Sequence, residues 1–415
     1  MSDHSFPHLL ITLVALLAAA KTLGSFAQRF GQPAVVGELL AGVLLGTSLF
    51  GLVDPADPVV QSFAELGVLV LLFEIGLHTD LKSLIKVGPE AIAVALFGVA
   101  VPFGLGYGVS HLLGLAVLPS IVAGAALTAT SIGISARTLS DLNQLHTPEG
   151  QIVLGAAVLD DIVGLVILSV VAGLVEGVAI SAGLIATTSA LAIGFVIGAI
   201  VIGGFVMPHV FRVISRVEAS GTLGVAGLVF AFMLAWLADA AGSATIIGAF
   251  SAGLVLHDTP QRQAIEKTTT SIGLFFVPIF FVSVGAAVDI RTLGEPRAIL
   301  LGGALIVVGV LGKFLAGFSP FWFKGSKSLI GIAMIPRGEV GLIFARMGLV
   351  TGALTSQLYS AIALMVLATT FITPPLLAIK VRSQESPEDQ DRPGDGGIDD
   401  LVAGTQSFPI QRPRK

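Results

Sequence analysis

Cysteine is absent from this 415-residue chain, tryptophan and tyrosine occur twice each, and charged residues make up only 12% of it. The first absence excludes disulfides and thiolate metal centres, though it says nothing about compartment. The low charge is about half the ~25% of soluble domains. No basic cluster marks a nucleic-acid surface, no GxxxxGK[ST] marks a phosphate loop, and none of the seven histidines lies in an HExxH pair. A nucleotide-driven pump and a zinc hydrolase are thereby excluded, and neither enzymatic activity nor a cofactor is expected. What the chain has is apolar surface, with 54% hydrophobic residues. The composition is that of an all-α polytopic membrane protein, because in lipid a helix satisfies its own backbone.

Apolar runs begin at residues 8–28, preceded by a short segment without the positive charge of a secretory leader, so a retained span is expected. Others follow at about 32–51, 61–78, 89–113, 117–139, 150–175, 180–208, 221–239, 243–257, 269–288, 297–319, 326–350 and 355–380, making thirteen. The run at 243–257 is short for a bilayer crossing. Odd-numbered connections and the start of the tail hold Arg29, Lys82, Lys86, Arg137, Arg212, Arg216, Arg262, Lys267, Lys324, Lys327, Lys380 and Arg382, whereas even-numbered ones hold only Arg291 and Arg297. Cytoplasmic loops collect lysine and arginine, so the N-terminus is expected outside and the C-terminus in the cytoplasm. Residues 381–415 are polar and acidic, and a disordered cytoplasmic tail is expected there.

Thirteen runs divide as six, one and six. A single crossing between two sets of six inserts the second upside down, the arithmetic of two inverted repeats. The fifth run of each set is interrupted: LTATSIGIS carries Thr128, Thr130 and Ser131, and MIPRGEVGL carries Pro336, Arg337, Gly338, Glu339 and Gly341. Broken helices at matching positions point to an ion or substrate site near half depth. The threonines could line it or merely cap helix ends, and Arg337 with Glu339 could be a purely structural pair.

The sixth run, QIVLGAAVLDDIVGLVILSVVAG, places Asp160 and Asp161 side by side near half depth. A carboxylate there costs a few kcal/mol, on the order of 2.5–3.5 for aspartate on insertion scales, so the pair calls for a partner, water or a cation. Lys313 in the eleventh run is the obvious partner for one of the two. Adjacent residues on a helix point about 100° apart, which leaves the other acid free to face a cavity. Two carboxylates this close take up protons as a cluster, where Na+ and H+ would compete for the same oxygens. Glu38, Glu65 and Glu74 read as structural or vestibular.

The motifs FGQPAVVGELLAGVLLG, ELGVLVLLFEIGLHTDL, ALTATSIGISARTL, LGAAVLDDIVGL, FFVPIFFVSVGAAVDI, LGKFLAGF and PRGEVGLI occur in one order over nearly the whole chain to residue 380. In this the sequence resembles the bacterial monovalent cation:proton antiporters, and most closely the NapA-type Na+/H+ antiporters. The resemblance implies an NhaA/NapA-like homodimer. Its transport bundle would comprise about 89–175 and 297–380, its dimerisation part about 8–78 and 221–288, and its linker helix about 180–208, in the bacterial inner membrane. It implies Asp161 as the main Na+ and H+ carboxylate, Asp160 as the partner that releases Lys313 when cation binds, and Thr130 and Ser131 in the ion's surroundings. Arg337 and Glu339 would support the second break. An Asp-Asp pair implies electrogenic exchange of Na+ or Li+ for H+ by elevator-like alternating access. K+/H+ exchange on the same fold is the nearest alternative and a cation channel a more remote one. His78 departs from the glutamate of many relatives, and an imidazole there could take part in pH sensing. With no long regulatory domain in this sequence, the glutathione-gated potassium branch is not the one expected.

Overall fold

The computed structural model describes residues 6–176, 182–216, 221–287 and 296–384. In chain order its helices are α1 (Phe6–Arg29), α2 (Ala34–Leu45), α3 (Pro58–His78), α4 (Leu81–Lys86), α5 (Gly88–Leu112), α6 (Val117–Ala126), α7 (Ile132–Asp141) and α8 (Pro148–Glu176). There follow α9 (Ala182–Ile214), α10 (Thr222–Ala240), α11 (Thr245–His257), α12 (Arg262–Ala286), α13 (Pro296–Ala316), α14 (Lys327–Ala333), α15 (Glu339–Val350) and α16 (Ser356–Arg382). Apart from one bridge between Gly46 and Val53, the described residues contain no extended pairing. Arg291 and nearly all of the expected tail lie outside the described residues.

Every apolar run coincides with a helix, and runs 117–139 and 326–350 are each divided in two, as their interruptions predict. Nine of the described helices are long and apolar enough to cross a bilayer. Two whole runs yield shorter helices, α2 with 12 residues and α11 with 13. In α2 the apolar pattern continues past Leu45, but the chain turns at Gly46 and pairs with Val53. Charge obscures the start of α12, which begins at Arg262, well before its apolar run. At the start of α3, the Asp57 carboxylate accepts from the N–H groups of Val59 and Val60, with Pro58 at the first helical position.

The packing has a two-fold pattern. Helix α1 lies on α2 as α10 lies on α11; α2 packs on α12 as α11 packs on α3; α5 packs on α8 as α13 packs on α16. Helices α3 and α12 pack on each other, as do α5 and α13. Exchanging the first half for the second leaves this pattern unchanged. Its trace in the sequence is GELLAG at 37–42 and GAFSAG at 248–253. A Cβ at Gly37 would overlap the carbonyl of Leu23, and one at Gly248 the carbonyl of Leu234; both pairs are separated by 211 residues. Gly42 meets Gly285 across α2 and α12, and Gly253 meets Gly76 across α11 and α3, backbone against backbone. Only glycine permits that approach.

Buried apolar side chains of α6, α8, α13, α15 and α16, with α5 packed against them, form one core. Those of α3 and α9–α12 form another, and a separate small patch with Leu16, Ala20, Ala41 and Leu45 joins α1 and α2 to α3 and α12. A third runs between the two sets. The site residues lie where the first meets the third, between Leu127 of the one and Ala157, Ile162 and Met334 of the other.

Candidate ion-binding site

Helix α8 is uninterrupted through its acids, and both are buried, Asp160 at 0% and Asp161 at 6% exposure. Lys313, entirely buried on α13, places Nζ 2.5 Å from Asp160 Oδ2. The same oxygen accepts the Thr130 hydroxyl at 2.6 Å, while Asp160 Oδ1 has no hydrogen-bond partner. Of the two acids, Asp160 is therefore the one that holds the lysine.

The broken helices meet beside this pair. Between α6 and α7, residues 127–131 leave the helical path; between α14 and α15, residues 334–338 do so. The Ser131 N–H donates to Pro336 O at 2.9 Å, the Ser135 hydroxyl to Ala333 O at 2.6 Å and the Thr130 hydroxyl weakly to Met334 O at 3.4 Å. Gly338 faces Ser131 so closely that a Cβ would sit 2.7 Å from its hydroxyl. Four half-helix ends converge here, two offering partly positive N–H groups and two partly negative carbonyls.

Arg337 answers the carbonyls. Fully buried, its Nη1 donates to Met334 O at 3.2 Å and Ile335 O at 3.0 Å, and its Nη2 reaches Gly309 O at 3.5 Å. Its own carbonyl accepts the Thr370 hydroxyl at 2.6 Å. Two buried acids and two buried bases thus share one region, Arg337 standing near enough to Asp160 for their charges to interact. A lone ion in such a medium costs several kcal/mol, so the group holds together only as a balanced set.

Of the residues singled out in the sequence, Asp160, Asp161, Lys313, Thr130, Ser131 and Arg337 gather at the crossing. Thr128 is differently engaged: its hydroxyl donates to Ala125 O at 2.8 Å, capping α6. Glu339 opens α15, and its side chain lies outside the described residues. His78 ends α3, its Nδ1 2.8 Å from Glu74 O and its Nε2 2.8 Å from Glu266 Oε1 on α12. Glu74 accepts from Thr270 at 2.7 Å and Glu65 from Gln61 at 3.1 Å, so both serve helix contacts. Sequence reasoning missed Ser135, bonded to the Ala333 carbonyl across the halves, and Thr370, bonded to the Arg337 carbonyl of its own half; neither bond leaves a periodic signal.

Residues 12–381 match the family model described as sodium/hydrogen exchanger, transmembrane. The chain belongs to this family. Among exchanger relatives, the high-affinity Na+/H+ antiporter NhaS3 of Synechocystis sp. is 40% identical over 91% of this chain and 92% of its own length. The Na+/H+-K+ antiporter GerN of Bacillus cereus is 34% identical over 88% of this chain and 94% of its own. The solved sodium proton antiporter MjNhaP1 of Methanocaldococcus jannaschii shares the fold, with a TM-score of 0.63 at 18% identity over 90% of this chain and 96% of that one. As an exchanger, the chain is a multi-pass membrane transporter, which accords with its nine long apolar helices.

Proposed function

We propose that this exchanger carries Na+ or Li+ outward across the bacterial inner membrane in exchange for H+, at a site formed by Asp161 and Asp160. The observation that carries the reading is the Lys313–Asp160 pair, wholly buried at the crossing of two broken helices. A buried pair whose acid also has an open oxygen is poised to exchange one cation for another. In this reading Na+ is held by Asp161 and Asp160 with oxygens near Thr130 and Ser131, and its arrival releases Lys313 from Asp160. Protons and Na+ compete for the carboxylates. With two acids and a lysine in one set, more than one proton can move per cation, and exchange is electrogenic.

All thirteen runs cross the membrane in this reading, α9 being the odd crossing that inverts the second repeat, with the N-terminus outside and the C-terminus in the cytoplasm. The unit of α5–α8 and α13–α16 moves as the transport bundle against α1–α3 and α10–α12, which dimerise, with α9 as the linker. His78, hydrogen-bonded to Glu266, is a candidate for pH response.

The test is proton flux in proteoliposomes driven by Na+, Li+ or K+, with the wild type beside Asp161→Asn and Asp160→Asn. Na+ or Li+ dissipating an imposed proton gradient in the wild type, but not in Asp161→Asn, is the expected result. Undiminished flux in Asp161→Asn would refute the carboxylate site. A second reading, K+/H+ exchange, draws on the name of GerN; flux with K+ alone would select it. Cation flux without proton movement would leave a channel.

A further inference from the structure

A second buried ionic group lies away from the crossing, where α7 ends against the start of α2. On α7, Arg137 Nε lies 3.1 Å from Asp141 Oδ1, one helical turn on. The Asp141 carboxylate in turn faces the backbone N–H groups of Ala34 and Val35, the first turn of α2. Pro33 precedes that turn and supplies no side-chain cap of its own. Asp141 thus lies against the N-terminal turn of α2 from another helix, where an anion is favoured by the open N–H groups and the helix dipole. One turn further along α2, Glu38 is 3% exposed, and its Oε2 has no hydrogen-bond partner. Arg137 is close enough to act electrostatically on Glu38, Asp141 and Glu74, and Lys21 on Glu38.

The group adds to apolar packing that already runs between the two sets of helices, α7 on α3 and α16 on α2 included. Helix α7 belongs to the broken helix whose start carries Thr130 and Ser131, while α2 packs on α1 and α12. We propose that Glu38, Arg137 and Asp141 form an ionic latch that holds α7 to α2 and sets the balance between the two access states of the transporter. The inference rests on the alternating-access reading above. Its residues touch no transported ion; they position α7.

A latch must release at little cost, and this one can. When α7 leaves α2, Asp141 keeps Arg137, which is on its own helix. The first turn of α2 and Glu38 lose their partners but gain water from the side that opens. The change in free energy is a difference between two solvations rather than the full cost of a buried charge. An apolar contact of the same area would offer no such exchange.

Two measurements on the full-length protein test this. Hydrogen exchange in detergent should show faster exchange of residues 34–38 in Asp141→Asn and Arg137→Gln than in the wild type, with Asp141→Glu restoring protection. In oriented proteoliposomes, both variants should still exchange cation for protons. Their half-saturating Na+ concentration at the face of the α7–α8 loop should shift by about threefold or more, with maximal rate changed less, because the apparent affinity follows the fraction of molecules open to that side. Glu38→Gln, which keeps its shape, should shift in the same direction. Unchanged protection of 34–38, or an unchanged Na+ profile in variants that still transport, overturns the latch. A wild type without exchange would instead sink the transport reading, while hydrogen exchange still decides whether Asp141 holds α2.

Discussion

Lys313 is held by one oxygen of one acid, and that acid gives the same oxygen to Thr130. Removing one member of such a pair leaves an uncompensated charge in a medium that cannot solvate it. Lys313→Met should therefore destabilise by ~3–5 kcal/mol, whereas Lys313→Met with Asp160→Asn, which removes both charges, should recover most of the loss. Thermal unfolding of the single and double variants in detergent checks this, and a double variant no better than Lys313→Met would contradict it. The pairing of lysine with aspartate was legible in the sequence because each is an expensive residue in an apolar run and each needs the other. Arg337 was legible as a residue of the break, but not as the donor to Met334 and Ile335 carbonyls, since a carbonyl exposed by a broken helix has no side-chain signature. At the surface, Asp80 caps α4, and the Ser83 hydroxyl with the N–H groups of Lys82 and Ser83 holds its carboxyl below the ordinary 3.8. Because the folded value lies below the unfolded one, the cap's contribution is complete above pH 3.8 and is lost as pH falls through the lower, folded value. Protection of residues 81–86 should then be flat from about pH 5 to 8, and Asp80→Ala should lower it by ~1 kcal/mol throughout that range. A change within that window that Asp80→Ala abolishes would refute the assignment.

Among the elements, the broken helices announced themselves through proline, glycine and hydroxyl residues inside apolar runs. The shortness of α2 did not, because Gly46 turns the chain inside a pattern that remains apolar on both sides. Close glycine contacts now define the element-level energetics. A Cβ on Gly76 would overlap the Phe250 carbonyl and come within 2.9 Å of Gly253 Cα, so α3 and α11 would have to part. Gly76→Val is expected to cost ~1–3 kcal/mol by overpacking. Gly108 on α5 has nothing within 4 Å of its would-be Cβ. Gly108→Ala should be neutral or stabilising by up to ~1 kcal/mol from helix propensity. Thermal midpoints of the two variants, measured side by side, decide it; equal values would mean that the α3–α11 approach is not tight.

For the molecule as a whole, a division of thirteen runs as six, one and six could be counted in the sequence, while the likeness between the halves could not be seen. The reason is physical: what the halves share is a few glycines facing carbonyls, at positions where any larger residue would clash, whereas the lipid-facing positions between them accept any apolar side chain. The chain closes on itself where the Arg382 guanidinium at the end of α16 donates to the Gly31 carbonyl, between α1 and α2. None of the site residues lies beyond that bond. A protein ending at Gln384 is expected to retain full cation-dependent proton flux in proteoliposomes, and its loss would assign the remaining residues an essential role.

The two-fold repeat has a consequence at its own point of departure. In α8 the mid-helix stretch beside the first break holds Asp160 and Asp161; in α16 the corresponding stretch, bonded through Thr370 to the second break, holds Thr369 and Thr370. Each break thus faces a pair of adjacent polar residues on a long helix, carboxylates on α8 and hydroxyls on α16. A carrier with acids in both would present two competing stations to every cation. Under the proposed reading, hydroxyls on α16 leave the cation its berth on the α8 side, and the other half of the fold frames it.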